Sequence, residues 1–328
     1  MAERRSGHAR RRSACGSRPS RRRVAPSRPV SAGQPNSPSP RGAGAIAALV
    51  ERLRGGHVVV LTGAGVSTES GIPDYRSPQS NARARRPISG SEFVRSAVLR
   101  RRYWARALVG WESFRRARPG PAHRAIAALE AQGVVSAVIT QNVDRLHQQA
   151  GSRAVLELHG ALAEVACLAC GALESRDALQ ARMRAANPAW AGTHGHGGAL
   201  APDGDAELTD EAVATFEVPA CEACGGMLKP RVVFFGENVP RSLVEQAYAC
   251  VDGAKGLLVA GTSLAVLSGY RFLRRAAERG TWIGIVNRGP VRGEECAALK
   301  IEESTGTVLE GVARSLGNTS GPPVAVSW

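Results

Sequence analysis

The sequence predicts an α/β fold with a doubly wound parallel sheet, and three observations support it. Short apolar runs suited to buried strands alternate with helical patterns along much of the chain. These runs end in small or polar residues, as strands do where a ligand crevice forms at the carboxyl edge of a parallel sheet. Residues 161–228 differ, because they hold paired cysteines and Gly-rich patches. They indicate a smaller inserted domain.

The first strand, at residues 58–61, leads into a glycine-rich turn, Gly63-Ala64-Gly65, followed by Ser67 and Thr68. Small residues at a helix start leave backbone N–H groups facing one point, which suits a phosphate group. The turn lacks the full G-x-G-x-x-G fingerprint of dinucleotide sites. From this stretch alone, a nucleotide site and an ordinary turn are equally open.

The remaining elements follow in order around the cysteine-bearing segment. Before it we predict helices at 46–53, 92–117, 123–132 and 145–150, a lid at 78–91, and strands at 134–140 and 155–158. After it we predict strands at 231–235, 256–260, 282–286 and 299–302, and helices at 242–250 and 268–279. The residues that follow the strands should converge at one edge of the sheet: Gly63, Asn142, His159, Gly236, Thr262 and Asn287.

The net charge of +15 is mostly a property of the N-terminal segment. Residues 1–41 hold eleven Arg and one acid, Glu3, a net of +10, so the other 287 of the 328 residues carry +5 (15 minus 10). We expect this tail to be disordered, in a soluble protein that is cytoplasmic if bacterial. A mitochondrial location is the alternative if residues 1–41 are a transit peptide. We expect no membrane partner, because no apolar run approaches the ~20 residues that cross a bilayer.

Two C-x-x-C pairs predict a metal site. Cys167 and Cys170 form one pair, and Cys221 and Cys224 form the other, with 50 residues between the pairs. Four thiolates suit tetrahedral Zn²⁺ and close its coordination shell, so the ion should be structural. Unpaired buried thiols or a redox use are the alternatives. Two histidines between the pairs, His194 and His196, are not needed as ligands.

A combination of motifs along residues 44–312 resembles the sirtuins, which are NAD-dependent protein deacylases. The motifs are Gly63-Ala64-Gly65-x-Ser67, Gly71-Ile72-Pro73-Asp74-Tyr75-Arg76, Thr140-Gln141-Asn142-Val143-Asp144, Leu158-His159-Gly160, the two cysteine pairs, Val232-Val233-Phe234-Phe235-Gly236-Glu237, Gly261-Thr262-Ser263-Leu264 and Val286-Asn287. Further segments, among them Arg102-Tyr103-Trp104-Ala105-Arg106 and Ser268-Gly269-Tyr270-Arg271-Phe272, look like the class II branch.

The resemblance implies NAD as cofactor. It places the pyrophosphate on Gly63, Ala64, Gly65, Ser67 and Thr68, and the nicotinamide ribose beside Asp74, Arg76 and Asn142, covered by Tyr75. The remaining expected NAD contacts are Gln141, then Val143 and Asp144 for the nicotinamide amide, and Gly261, Thr262, Ser263, Asn287, Arg288, Gly289 and Thr305 for the adenosine half.

The resemblance also assigns a reaction, with His159 as general base and Asn142 beside it. The carbonyl oxygen of an acylated lysine displaces nicotinamide at the anomeric carbon of the ribose, and His159 deprotonates a ribose hydroxyl that attacks the resulting imidate. Water then releases free lysine and O-acyl-ADP-ribose. An imidazole with a pKa of about 6.5 suits that task at neutral pH. From the residues alone, a lone His beside a glycine favours a structural histidine.

The implied protein substrate enters as an added strand between Gly236-Glu237 and the segment after Ser263. The residues expected to contact it are Val233, Phe234, Phe235, Gly236 and Glu237. Tyr103-x-x-Arg106 has the spacing with which desuccinylating sirtuins bind an acyl chain ending in a carboxylate, although an ordinary helix face explains it better.

Two other functions stay open. One is another use of the same site, as a mono-ADP-ribosyltransferase, a lipoamidase or a dicarboxylic-acyl deacylase. The other is a zinc-ribbon nucleic-acid binder, which the lack of a basic stripe with aromatics disfavours, so we expect no specific nucleic-acid partner.

The expected domain organisation has three parts. A disordered basic tail spans residues 1–41, a catalytic domain spans 42–316, and a C-terminal tail spans 317–328. The catalytic domain is divided into a Rossmann-like part (42–77, 119–163 and 229–316), a helical lid module (78–118) and a zinc-binding module (164–228).

Overall fold

The computed structural model describes residues 43–74, 87–194 and 208–317. Its larger sheet has six strands in the order β3-β2-β1-β7-β8-β9, and every neighbouring pair is parallel. The strands are β1 (Val58–Thr62), β2 (Val135–Thr140), β3 (Val155–Glu157), β7 (Gly256–Ala260), β8 (Trp282–Val286) and β9 (Leu299–Ile301). The predicted fold class is confirmed.

Helices cover both faces of this sheet. On one face lie α1 (Ala43–Leu53), α4 (Pro121–Ala131) and α11 (Thr305–Gly317), packed on Val58, Val60 and Leu258. On the other lie α9 (Arg241–Gly253) and α10 (Leu267–Glu278), packed on Val59, Leu61 and Leu257. Burial on both faces explains why β1 is apolar at consecutive positions rather than at alternate ones.

A second, three-stranded antiparallel sheet has the order β5-β4-β6, with β4 (Gly160–Cys167), β5 (Leu173–Ser175) and β6 (Leu228–Val232). The predicted strand at 231–235 was therefore wrong in its position and its sheet. The chain at 228–232 follows the second cysteine pair and returns along β4, with Val232 opposite Gly160. An apolar run alone does not distinguish these two sheets, because pairing depends on partners far away in sequence.

The helical segment predicted at 92–117 is two helices, α2 (Gly90–Arg95) and α3 (Ala97–Arg116). Ser96 separates them, and its hydroxyl caps α3 by accepting a hydrogen bond from Leu99 N (3.2 Å). The short helix α5 (Leu146–Gln149) follows β2, and α6 (Arg176–Ala186), α7 (Pro188–His194) and α8 (Asp210–Ala214) lie between the cysteine pairs. In the described ranges, no helix has both the length and the apolar character needed to cross a membrane.

Candidate active site

The loop after β1 is packed tightly against the loop after β7. Gly65 N donates to Gly261 O at 2.8 Å. A Cβ added at Gly65 would lie 2.7 Å from that oxygen, and one added at Gly63 would lie 2.7 Å from the Thr262 side chain. Both positions therefore require glycine. The loop continues as two single-turn 3₁₀ helices, Ala64–Val66 and Thr68–Ser70.

A chain of side-chain hydrogen bonds joins this loop to the one after β2. Asn142 is buried, and its Nδ2 donates to Gly63 O (3.1 Å) and to Ser67 Oγ (3.0 Å). Ser67 Oγ in turn donates to Asp144 Oδ2 at 2.7 Å. Three residues predicted from two separate motifs thus form one network.

Two buried histidines behind this network were missed. His123 Nδ1 accepts from Gly120 N (3.2 Å), so its other ring nitrogen carries the proton toward Ser67 Oγ, 3.5 Å away. Burial lowers the pKa of His123, opposed by the charge of Asp144. Burial, aided by His123, lowers the pKa of His147 to about 3. No metal or catalytic spacing marks either residue in the sequence, so only the structure shows their place.

His159 follows β3 and lies at the junction of the two sheets. Its Nδ1 is 2.8 Å from Gln141 O, and its Nε2 is 2.9 Å from Ser268 Oγ. Because a carbonyl oxygen only accepts, Nδ1 carries the proton and Nε2 has a lone pair. Burial lowers the pKa of His159, and the hydrogen bond to Gln141 O raises it. The ring is therefore neutral at neutral pH, with Nε2 as its basic atom.

The ends of β7 and β8 contribute the remaining polar groups. Gln141 Nε2 donates to Thr262 Oγ1 at 2.9 Å, which ties the loops after β2 and β7 together. Asn287 Nδ2 donates to the carbonyl oxygens of Arg288 (2.9 Å) and Gly289 (3.2 Å) and so holds the turn after β8. Thr305 is buried at the start of α11.

Several other predicted NAD residues make backbone or short-range hydrogen bonds. Thr68 Oγ1 donates to Gly65 O at 3.0 Å. Val143 O accepts from Leu162 N (3.0 Å), and Ser263 O accepts from Arg292 N (2.9 Å). Ala64 lies in the first 3₁₀ turn. Asp74 is the last residue described before a gap, and Tyr75 and Arg76 lie outside the described residues.

The predicted substrate segment lies next to the base, although it is not part of the parallel sheet. Val233 N donates to His159 O at 2.9 Å. The Glu237 carboxylate accepts from Lys229 Nζ (3.0 Å) and from Phe234 N (2.9 Å), so it holds the turn in place. Gly236, within that turn, has a positive φ of 81°. Phe235 is 51% exposed, which leaves an apolar side chain at the surface beside the turn.

Tyr103 lies in an aromatic cluster rather than on an open helix face. Its ring centroid is 5.4 Å from those of Phe93 and Phe234. It is 8% exposed, and Arg106, one turn further along α3, is half-buried. The cluster brings Tyr103 against the substrate segment through Phe234.

The four paired cysteines form one cluster, in which all sulfur atoms lie within 4.8 Å of one another. Each pair ends in a turn that requires a left-handed glycine, Gly171 (φ 75°) and Gly225 (φ 70°). The backbone N–H groups of Cys170 and then Ala169 lower the pKa of the Cys167 thiol to about 6. Thiolates at this spacing fit a tetrahedral zinc ion. His194 packs on Trp190 instead (5.2 Å between ring centroids), and His196 lies outside the described residues.

Comparisons with known proteins agree with this geometry. The model of the Sir2 family matches residues 63–268. An NAD-dependent protein deacetylase 1 of Streptomyces coelicolor is 48% identical over 290 residues, which cover 88% of this chain and 96% of that protein. The mitochondrial NAD-dependent protein lipoamidase sirtuin-4 of Bos taurus is 49% identical, covering 77% and 80%. A solved Sir2–p53 peptide–NAD⁺ structure is 29% identical, with a TM-score of 0.67 over 83% of this chain and 98% of that chain.

Proposed function

The chain belongs to the Sir2 family, and from this premise we propose that it is an NAD-dependent protein-lysine deacetylase with His159 as its general base. One observation carries the residue assignment. The neutral His159 ring, with its proton fixed on Nδ1, lies at the edge where the loops after β1, β2 and β7 are locked together. A basic nitrogen at the rim of a glycine-lined crevice is what ribose deprotonation requires.

The crevice residues fit NAD. Gly65 and Gly261 allow two loop backbones to approach more closely than any side chain would permit, and Gly63 leaves room for the Thr262 side chain. Such loops at the ends of parallel strands bind dinucleotides. When bound, NAD would supply the ribose carbon that the acyl carbonyl oxygen attacks, with nicotinamide as the leaving group, and the ribose hydroxyl that receives the acyl group. The residues that would hold it are those predicted from the sequence, from the pyrophosphate turn at Gly63 to the buried Thr305.

The network of Asn142, Ser67 and Asp144 would orient the nicotinamide half. Ser67 Oγ donates a hydrogen bond to Asp144 and accepts one from Asn142, so the three side chains hold one another before a ligand binds. Preorganised polar groups of this kind avoid reorganisation during the reaction. We assign Asn142 to the ribose and Val143 with Asp144 to the amide.

His159 would then act as a base through Nε2. A lowered pKa means that the imidazolium form is disfavoured, so Nε2 is unprotonated at neutral pH. A lower pKa also makes the imidazole a weaker base, so deeper burial would reduce its ability to take the ribose proton. The hydrogen bond to Gln141 O opposes the lowering and fixes the tautomer.

The acylated lysine would be bound by main-chain pairing along Val233–Glu237. The turn at Gly236 is held by the Lys229–Glu237 ion pair and joins His159 through Val233 N. The segment follows β6 directly beside the base, and strand addition is the binding mode that we propose for the peptide. The position of this segment is set by the pairing of β6 with β4. The segment is not a seventh strand of the parallel sheet.

The zinc ion would be structural. Cys167, Cys170, Cys221 and Cys224 supply four ligands and leave no open coordination position for a reactant. Residues 164–228 form the proposed zinc-binding module, and the three-stranded sheet links it to the rest of the catalytic domain at Gly160 and Val232. We also propose the predicted boundaries of the catalytic domain, 42–316, and of the two tails, 1–41 and 317–328.

A second candidate is a deacylase for longer or dicarboxylic acyl groups on the same site. One relative is a lipoamidase, and Tyr103 lies against Phe234 of the substrate segment. Arg106 on the same helix could meet a terminal carboxylate. ADP-ribosyl transfer to protein is the remaining alternative for this crevice.

A peptide panel tests the proposed function. Purified protein and NAD are offered acetyl-, glutaryl- and lipoyl-lysine peptides, and nicotinamide and O-acyl-ADP-ribose are followed by mass. We expect turnover of the acetyl peptide and a loss of about 10²-fold or more in His159→Ala. Arg106→Ala selectively slows the glutaryl peptide if the second candidate holds. Full product formation by His159→Ala contradicts the assignment of the base, and ADP-ribosylated protein without O-acyl-ADP-ribose identifies a transferase.

We place the protein in the cytoplasm, supported by the bacterial origin of relatives such as the one from Streptomyces coelicolor. The N-terminal sequence of the mature protein tests this. A chain that begins near residue 42 in an organelle fraction contradicts it and supports a transit peptide.

A further inference from the structure

His159 is held at both ring nitrogens. Gln141 O accepts the Nδ1 proton at 2.8 Å, which leaves Nε2 as a hydrogen-bond acceptor. Ser268 Oγ lies 2.9 Å from Nε2, so the serine hydroxyl must be the donor. The imidazole plane is therefore defined from two opposite sides, by the loop after β2 and by the start of α10.

The start of α10 is itself fixed against that loop. A Cβ added at Gly269 would lie 2.5 Å from Gln141 Oε1, so the helix backbone and the Gln141 side chain are in close contact. Gln141 Nε2 also donates to Thr262 Oγ1 in the loop before the helix. The backbone that carries Ser268 thus has little freedom to move relative to His159.

The hydroxyl of Ser268 also differs from that of an ordinary helical serine. A serine inside a helix often bonds its own backbone, as Ser315 does with Gly311 O at 2.9 Å in α11. Ser268 instead bonds a residue 109 positions earlier in the chain. This contact links α10 to the base across the junction of the two sheets.

We propose that Ser268 is a positioning residue for His159: its hydroxyl donates to Nε2 in the NAD-free protein and so fixes the imidazole plane, until the ribose hydroxyl replaces it as the donor. This inference rests on the proposed function of His159. Without Ser268, the ring keeps only the bond to Gln141 O, about which it can rock. Small errors in the orientation of a base slow the step it serves. Steps that do not use the base are left unchanged.

The first test is ¹⁵N NMR of the histidine rings in the NAD-free protein. We compare wild type with Ser268→Ala, Ser268→Thr and the control Ser315→Ala. The His159 Nε2 resonance should move toward that of an imidazole nitrogen without a donor in Ser268→Ala alone, while Nδ1 stays protonated. Ser268→Thr keeps a hydroxyl and should retain the wild-type resonance. An identical Nε2 resonance in wild type and Ser268→Ala overturns the proposal.

The second test separates two rates in the same variants with NAD and an acetyl peptide. Exchange of labelled nicotinamide into NAD precedes the use of the base, and O-acyl-ADP-ribose formation follows it. In Ser268→Ala, exchange should stay within about twofold and product formation should fall by about tenfold, the effect of one lost hydrogen bond. Ser268→Thr should restore it, and Ser315→Ala should match wild type.

Product formation in Ser268→Ala that equals or exceeds wild type overturns the proposal. A parallel fall of exchange and product formation also overturns it, because that pattern indicates general damage to the site. His159→Ala, measured beside these variants, separates the two assignments. If it retains product formation, the proposed base is wrong, whatever Ser268 does.

Discussion

The crevice of the parallel sheet and the zinc-binding module are stabilised in opposite ways. Around the crevice, two layers of helices bury both faces of six strands, and the polar residues at the strand ends fix one another. The module has a three-stranded sheet and four sulfur atoms that a metal ion would hold together. The comparison indicates that the proposed base and NAD contacts lie where the fold is held by its own packing, while the metal would support the proposed substrate segment.

The two regions meet at His159. Its ring belongs to the crevice through Gln141, and its carbonyl oxygen accepts from Val233 N, the residue that follows β6. Damage on the zinc side should therefore reach the substrate segment first, whereas damage to the crevice should reach NAD first. The predictions below test this division, from the largest expected effect to the smallest.

Loss of zinc should have the largest effect. Cys221→Ser removes one of four ligands, so zinc content should fall from one ion per chain and deacetylation should fall by at least about 10²-fold, since such sites fold with their metal. Zinc is measured by elemental analysis and activity with the acetyl peptide. Cys296→Ser, at an exposed cysteine outside the cluster, is the matched control. Full activity in a zinc-free Cys221→Ser protein contradicts a structural role.

Gly65→Ala should weaken the crevice while sparing the module. Its new Cβ would lie 2.7 Å from Gly261 O, so the two loops must separate. NAD affinity, measured by calorimetry, should fall by about tenfold or more, and zinc content should stay at one ion. Gly253→Ala, where a Cβ meets no atom within 4 Å, should bind NAD normally. Unchanged NAD affinity in Gly65→Ala would contradict the assignment of this turn to the pyrophosphate.

Glu237→Gln should have the smallest effect, confined to the substrate segment. The change leaves Lys229, which is buried, without its ion-pair partner at 3.0 Å. The cost should be about 1–3 kcal/mol in the free energy of unfolding, with a raised peptide KM. NAD affinity should not change. Glu245→Gln, in an exposed ion pair with Arg241, should change neither quantity measurably. A drop in NAD affinity in Glu237→Gln would show that the two regions are not separate.

The sequence predicted most of the sheet and the crevice because these depend on local patterns. Uniform apolar runs such as Val58–Thr62 arise where both faces of a strand are buried, and glycine is required where loops touch. The family resemblance added roles for His159 and Asn142. Both residues bond the loops after β1 and β2, and their roles stay predictions.

What the sequence did not predict depends on distant partners. The sheet that β6 joins is decided by pairing with β4, more than sixty residues earlier. His123 and His147 carry no motif, and their place behind Ser67 follows only from packing. The helix α11 is absent from the sequence prediction, although Val308, Leu309 and Val312 have helical spacing.

The pH dependence of O-acyl-ADP-ribose formation tests the central claim most directly. A base must be neutral to accept a proton, so product formation should be present above the pKa of His159 and lost as the pH falls through it. Because burial lowers this pKa, the acid limb should lie below about pH 6.5, and nicotinamide exchange should not share it. An acid limb well above pH 6.5, or one shared equally by exchange and product formation, would contradict His159 as the neutral base.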